Sequence, residues 1–315
     1  MTKLKGILLT EGMHGMISQV EGLAKALDIN YSHHTVETKG FWKIIPPKFT
    51  PISDSVFKKI ECEDVDLIIS CGRKSIIPSL FLKKNSKKKV FNIHIQNPKI
   101  KLDNFDLVVV PEHDNLDGDN VLKTKGAIHY LTSEEIEKDK EYLFSISSKL
   151  RDKNIISLII GGPTQYYDYS DRNIQEIFSK VNYLVKENNL NLVVIPSMRT
   201  PKGTIEHAKI YFGNDHLVLD NVDKKAYLSA LSISKHIVVT CDSSSMISEA
   251  ALTGKPIYIA NIPPKKSDKR FKNFRKLFQE MKIIRELGEK LENWNYEKLD
   301  ETNRIANIIK DKIQL

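Results

Sequence analysis

Near-continuous runs of Val, Ile and Leu, each flanked by polar turns and followed by helical periodicity, limit the fold of this chain more than any other feature. Residues 4–9, 65–69, 90–95 and 107–110 read as strands, with helices expected over 16–27 and 75–84. The pattern then restarts. Strands at 155–160, 192–195, 217–219, 236–240 and 256–260 alternate with helices at 171–188, 202–211, 224–232 and 243–253. Strands apolar on both faces suit parallel sheets covered by helices on each side. Two such β-α-β-α series predict an α/β protein of two Rossmann-like parallel-sheet domains. A polar helix over 133–147 runs into the charged stretch 149–154, which sets the expected boundary near 148–153. The division is then 1–150 and 151–292. Residues 293–315 form a closing helix whose stripe of Leu299, Ile305, Ile308, Ile309 and Ile313 packs back on the first domain.

At 315 residues and 41% hydrophobic, the chain can fill two cores. No apolar run approaches the roughly 18 residues of a membrane span, and the first dozen residues lack a secretory apolar segment. Cys62, Cys71 and Cys241 form neither a disulfide framework nor a metal-ligand spacing, so no metal and a cytoplasmic setting are expected. The net charge of +8 is local. Residues 1–150 carry 22 basic and 20 acidic residues, whereas 263–290 alone carry 10 and 4. A chain this unevenly charged is not a general nucleic-acid binder. A lysine run stands at Lys83, Lys84, Lys87, Lys88 and Lys89. Over 265–281, Phe271, Phe274, Leu277, Phe278 and Met281 recur at helical spacing among Lys269, Arg270, Lys272, Arg275 and Lys276. Such a helix suits peripheral docking on an anionic membrane surface, or packs its phenylalanines on the second domain and leaves its lysines solvated.

Ligands of open parallel sheets bind at the carboxyl ends of strands, where helix N-termini point, and four loops there have suitable composition. Thr10-Glu11-Gly12-Met13-His14-Gly15 offers glycines for tight turns and His14 as a base near neutral pH. In Ser70-Cys71-Gly72-Arg73-Lys74-Ser75, Arg73 sits beside a helix N-terminus and can clamp an anion. Gly161-Gly162 and Pro196-Ser197-Met198-Arg199-Thr200-Pro201 end consecutive strands, and a diphosphate between them is matched in charge and geometry. The stretch from Thr240 to Pro256 has Asp242 or a serine as N-cap, then Ser243, Ser244 and Ser245 at a helix start. Glu249 stands two turns in, where it can accept from a ribose diol. Each loop also reads as an ordinary βα turn.

Taken together, Glu11-Gly12-x-x-Gly15, Gly72-Arg73-Lys74-Ser75, Ile95-Gln96-Asn97-Pro98, Val110-Pro111-Glu112-His113-Asp114, Gly161-Gly162-Pro163, Ser197-Met198-Arg199-Thr200-Pro201 and the 240–256 stretch resemble the mitochondrial-fission "elongated mitochondria" family, within the GT-B glycosyltransferase-like superfamily. The chain departs from that pattern at Glu11, Asn97 and Met198. The resemblance implies a GT-B-like fold, with two domains facing a cleft that binds a nucleotide diphosphate-sugar. The donor is expected at Gly161, Gly162, Arg199, Asp242, Ser243, Ser244, Ser245 and Glu249. A lipid-linked or glycan acceptor is expected at Gly12, Gly15, Arg73 and Gln96, with His14 and Glu112 as catalytic candidates. The expected activity is metal-independent glycosyl transfer in cell-envelope or glycolipid synthesis. The alternatives are a non-catalytic membrane-associated scaffold and a nucleotide-sugar 2-epimerase.

Overall fold

The computed structural model describes residues 3–61 and 64–313; Cys62 lies outside them. The chain divides into two compact units, one running to Tyr130 and resuming at Asp300, the other Leu131–Leu299.

In the first unit, strands β1 (Lys5–Thr10), β2 (Asn30–Thr35), β3 (Leu67–Cys71), β4 (Phe91–Ile95), β5 (Leu107–Pro111) and β6 (Val121–Thr124) form one sheet in the order β2-β1-β3-β4-β5-β6. Every pairing in it is parallel. Alternate strand residues face opposite sides. Thus Leu8, Ile69, Ile93 and Val109 pack with Val20 and Leu23 of helix α1 (His14–Ala26), whereas Ile7, Leu9 and Ile68 pack with Ile77 of helix α2 (Ile76–Asn85). This double coverage is why the central strands are unbroken apolar runs.

The second unit repeats the scheme with β7 (Ile155–Ile160), β8 (Asn191–Pro196), β9 (Leu217–Val218), β10 (His236–Thr240), β11 (Ile257–Ala260) and β12 (Ile284–Glu286), ordered β12-β11-β10-β7-β8-β9 and again all parallel. Its helices are α3 (Ser133–Lys138), α4 (Tyr142–Ile146), α5 (Asp171–Glu187), α6 (Lys202–Phe212), α7 (Lys224–Ile233), α8 (Ser244–Ala251) and α9 (Lys269–Glu280).

The structure departs from the sequence expectations in three places. The polar helix over 133–147 is two helices. Between them Ser229 of α7 donates to the Lys140 carbonyl (2.8 Å) and accepts from the Leu143 amide (3.1 Å), replacing the helical bonds the break removes. Ser232 of α7 also donates to Glu137 (3.1 Å), so residues 131–150 pack in the second unit and the division falls after Tyr130. The closing helix α10 begins at Glu301, not 293, and residues 293–299 stay with the second unit. Ile305, Ala306 and Ile309 of α10 are buried against Val20, Leu23 and Ala24 of α1. Finally, α9 turns its apolar stripe inward. Phe274 and Phe278 are fully buried, and Phe271 meets Tyr166 and Tyr167 edge-on. Arg275 points inward as well, pairing with buried Asp268 (3.2 Å) and bonding the Tyr167 hydroxyl (3.1 Å), so the five cations do not share an exposed face. Among the described residues no helix is long and apolar enough to cross a membrane.

Candidate functional site

Strand order reverses direction between β7 and β10 in the second unit and between β1 and β3 in the first. Loops diverge at such switch points and leave a crevice at the carboxyl edge.

At the switch point of the second unit the structure brings together Gly161, Gly162, Arg199 and Asp242, drawn from three strand ends. The Asp242 carboxylate is fully buried and collects four donors. Oδ2 accepts from the Gly162 amide (3.1 Å) and from Arg199 Nη2 (2.8 Å). Oδ1 lies 2.7 Å from Thr240 Oγ1 and 2.5 Å from the Tyr169 hydroxyl. Thr240 Oγ1 in turn accepts from the Gly161 amide (2.8 Å), and Arg199 Nη1 donates to the Gly162 carbonyl (3.0 Å). Burial and the neighbouring carboxylate push the Tyr169 phenol far above its ordinary value, so it remains a donor. Both glycines are set by close approach. A Cβ on Gly161 would lie 2.2 Å from Asp242 Oδ2, and one on Gly162 would lie 2.0 Å from the Arg199 carbonyl oxygen. Sequence reasoning grouped these glycines with Arg199 but aimed their amides at a ligand. Here Thr240 and Asp242 satisfy those amides, and Asp242 turns away from the cap position.

The cap of α8 is Ser243, whose hydroxyl accepts from the Met246 amide (3.4 Å). Ser244 and Ser245 follow, half-buried, at the positions whose amides have no intrahelical acceptor. Helix N-termini carry partial positive charge, and the side chain of Arg199 at the same sheet edge is 43% exposed. Glu249, one turn beyond Ser245 on the same face, is half-buried and accepts from the Tyr227 hydroxyl (2.7 Å). Burial raises its carboxyl to about 7 from an ordinary 4.5, although the Tyr227 bond acts to lower it. A carboxyl raised on folding favours the folded state below about pH 4.5, and that contribution is lost as pH rises through about 7. Glu249→Gln is therefore expected to match the parent in thermal stability at pH 4 and exceed it at pH 8. Parallel pH profiles for the two proteins would refute the assignment.

The first unit has a different edge. Glu11 bridges the switch point, with Oε1 accepting from the Lys74 amide (3.1 Å) and Oε2 3.5 Å from Lys74 Nζ. Gly72 is required at φ +93°, against Met16 and Glu11, and Gly12 at φ +83°, against Thr35. Gly15 faces open space. His14 is exposed in the first turn of α1. Arg73, expected as an anion clamp, donates instead to the carbonyls of Lys43 (2.6 Å) and Ile45 (3.4 Å), fastening the loop that follows β2. Gln96 holds φ +86° just after β4, a strained conformation for a residue with a side chain. Glu112 is exposed after β5. Three strand spacings separate β1 from β5 in the sheet, roughly 14 Å, so the sheet does not bring His14 and Glu112 together as an acid–base pair. Cys71 and Cys241 are buried; burial raises both thiols, Cys241 to about 11, and neither is poised as a nucleophile. Sequence reasoning missed Tyr169, Thr240 as a ligand of the loop, and Tyr227. The one available signal was the Tyr-Tyr-x-Tyr cluster at 166–169.

The model of the mitochondrial fission ELM1 family matches residues 14–313, nearly the whole chain and both units. The chain belongs to the mitochondrial fission ELM1 family. Among ELM1 relatives, the mitochondrial fission protein ELM1 of Arabidopsis thaliana is 26% identical over 282 residues, spanning 78% of this chain and 64% of the plant protein. An uncharacterized protein of Rickettsia prowazekii is also 26% identical, over 79% of this chain and 80% of its own length. Solved structures align over the full length at low identity. The UDP-GlcNAc 2-epimerase of Neisseria meningitidis, bound to UDP-GlcNAc, is 14% identical with a TM-score of 0.56, covering 99% of this chain and 100% of that one. The UDP-GlcNAc 2-epimerase of Methanocaldococcus jannaschii is 13% identical with a TM-score of 0.54, covering 98% and 99%. Such likeness speaks to fold: this ELM1-family chain has the GT-B-like α/β architecture of two Rossmann-like parallel-sheet units.

Proposed function

We propose that the second unit binds the diphosphate of a nucleotide-sugar at its β7/β10 switch point and that the protein is a metal-independent glycosyltransferase. One observation carries this reading: the open first turn of α8, with Ser244 and Ser245, shares the carboxyl edge of the sheet with a half-exposed Arg199 held in place by Asp242. Unpaired amides, two hydroxyls and a guanidinium suit an anionic leaving group, and they stabilise the charge that develops on it as the glycosidic bond breaks. Glu249, one turn on, accepts from the ribose hydroxyls. His14 of the first unit is the proposed base toward a lipid-linked or glycan acceptor. The protein works in the cytoplasm, where nucleotide-sugars serve envelope or glycolipid synthesis. The fold shared with enzymes of nucleotide-sugars supports the reading, though fold alone does not fix chemistry.

A second reading, a non-catalytic scaffold, is favoured by the closed Gly161-Gly162 loop, whose amides are already satisfied from within. Incubation with radiolabelled sugar nucleotides and a crude lipid or glycan acceptor separates the possibilities. Acceptor-dependent transfer that survives EDTA is expected, with at least a tenfold loss in Arg199→Ala. Epimerised donor without transfer would make the chain an epimerase, and unchanged donor under all conditions would favour the scaffold.

A further inference from the structure

The largest exposed apolar side chains are not spread evenly over the chain. Among the described residues, Phe41 (64% exposed), Ile44 (77%), Phe49 (67%) and Ile52 (40%) all fall in the loop that follows β2. Single exposed hydrophobics are ordinary; four within so short a stretch mark a contact surface. The loop is also firmly built. Its backbone closes into short turns through bonds from Trp42 to Lys39 (3.1 Å), Ile44 to Phe41 (3.2 Å), Phe49 to Pro46 (2.9 Å) and Thr50 to Pro47 (3.1 Å). Pro46, Pro47 and Pro51 restrict it further. Arg73 holds the carbonyls of Lys43 and Ile45, and Trp42 packs onto the core beside Val56 and Ile77. The exposed side chains are therefore presented on a scaffold that need not be ordered on binding.

Charge identifies the occupant. From 38 to 53 the sequence has Lys39, Lys43 and Lys48 and no acidic residue. Lys48 lies over the Phe49 ring (4.6 Å), and the Phe41 ring lies tilted against Trp42 (4.3 Å). Aromatic side chains interleaved with lysines match the interface of an anionic bilayer, where rings sit at headgroup depth and cations meet lipid phosphates. We propose that the 41–52 loop docks the first unit on an anionic membrane surface. This site is distinct from the basic helix α9, whose apolar side is consumed within its own unit.

The test is co-sedimentation of the full chain with sucrose-loaded vesicles of phosphatidylglycerol and phosphatidylcholine, against phosphatidylcholine alone, at 50 mM and 500 mM salt. Binding to the anionic vesicles is expected at low salt and to fall at least tenfold in Phe41→Ser/Ile44→Ser/Phe49→Ser. Ile210→Ser, an equally exposed isoleucine in the second unit, should bind as the parent does. All four positions are on the surface, so thermal unfolding of each variant should match the parent. Absence of anionic-vesicle binding at low salt, equal binding to neutral vesicles, or binding untouched by the triple substitution overturns the proposal. A parent that is dimeric in light scattering, converted to monomer by the triple substitution, assigns the surface to a second copy instead and overturns it equally.

Discussion

Asp242→Ala is expected to cost the second unit about 3 kcal/mol, the scale of breaking a buried charged pair. The carboxylate has no exposure, and it is the shared acceptor for the Gly162 amide, Arg199, Thr240 and Tyr169. Removing it strands the buried Gly162 amide, which costs on the order of 1–3 kcal/mol when unsatisfied, whereas the half-buried Tyr169 hydroxyl keeps Thr240 Oγ1 (2.9 Å) as acceptor. Arg199 itself loses less, because its half-exposed guanidinium can be rehydrated. Arg199→Ala instead leaves the buried Asp242 carboxylate without its counter-charge but with three other donors, and is expected to cost about 2 kcal/mol. Trp294, which packs on Tyr258 of the second unit, reports that unit's urea transition in a Trp42→Phe background. A loss under about 1 kcal/mol for Asp242→Ala would mean that the network contributes little.

Gly162→Ala should cost as much or more. A new Cβ would stand 2.0 Å from the backbone oxygen of Arg199 and 2.5 Å from its Cβ, and neither can move without lifting the 197–200 turn. That turn is tied to β7 by the Ser197 amide (3.1 Å to the Ile160 carbonyl) and by the Thr200 hydroxyl (2.7 Å to the Gly161 carbonyl). Overpacking of this kind costs about 1–3 kcal/mol where side chains can yield, and here the obstruction is main chain. The contrast is Gly15→Ala: nothing lies within 4 Å, and the residue is helical, so a gain of up to about 1 kcal/mol is expected. Urea unfolding reads both, with Trp294 reporting Gly162→Ala in the Trp42→Phe background and Trp42 reporting Gly15→Ala in a Trp294→Phe background. A Gly162→Ala protein as stable as its parent would contradict the close approach.

Gly161 and Gly162 show how far the sequence could be read. A Gly-Gly pair ending a strand announces that something comes close. It does not say that the neighbour is Asp242, eighty residues on, because that contact exists only once β10 lies beside β7. The central strands were legible for a physical reason: buried on both faces, they admit almost nothing but Val, Ile and Leu. The edge strands β2, β6 and β12 were not, since Asn-Tyr-Ser-His-His-Thr, Val-Leu-Lys-Thr and Ile-Arg-Glu are partly solvated and carry no such constraint. The aromatic stretch at 41–52 was passed over because it has neither helical nor strand periodicity; only its exposure makes it conspicuous. On α9 the pattern was right and the direction of Arg275 was not, because its partner, buried Asp268, is the residue just before the helix and carries none of the apolar repeat.

A nucleoside diphosphate held at the β7/β10 switch point should raise the unfolding temperature of the second unit, measured with and without nucleotide. With UDP, GDP or ADP at about a hundredfold excess over Kd, a bound nucleotide adds about 2.7 kcal/mol, or several degrees in the unfolding temperature of the second unit. One of the three should produce that rise, CMP should produce less, and Ser244→Pro, which removes an amide at the first helical position where proline is otherwise tolerated, should diminish it. No shift with any nucleotide at millimolar concentration, or a shift unchanged in both Ser244→Pro and Arg199→Ala, would contradict nucleotide binding at that switch point.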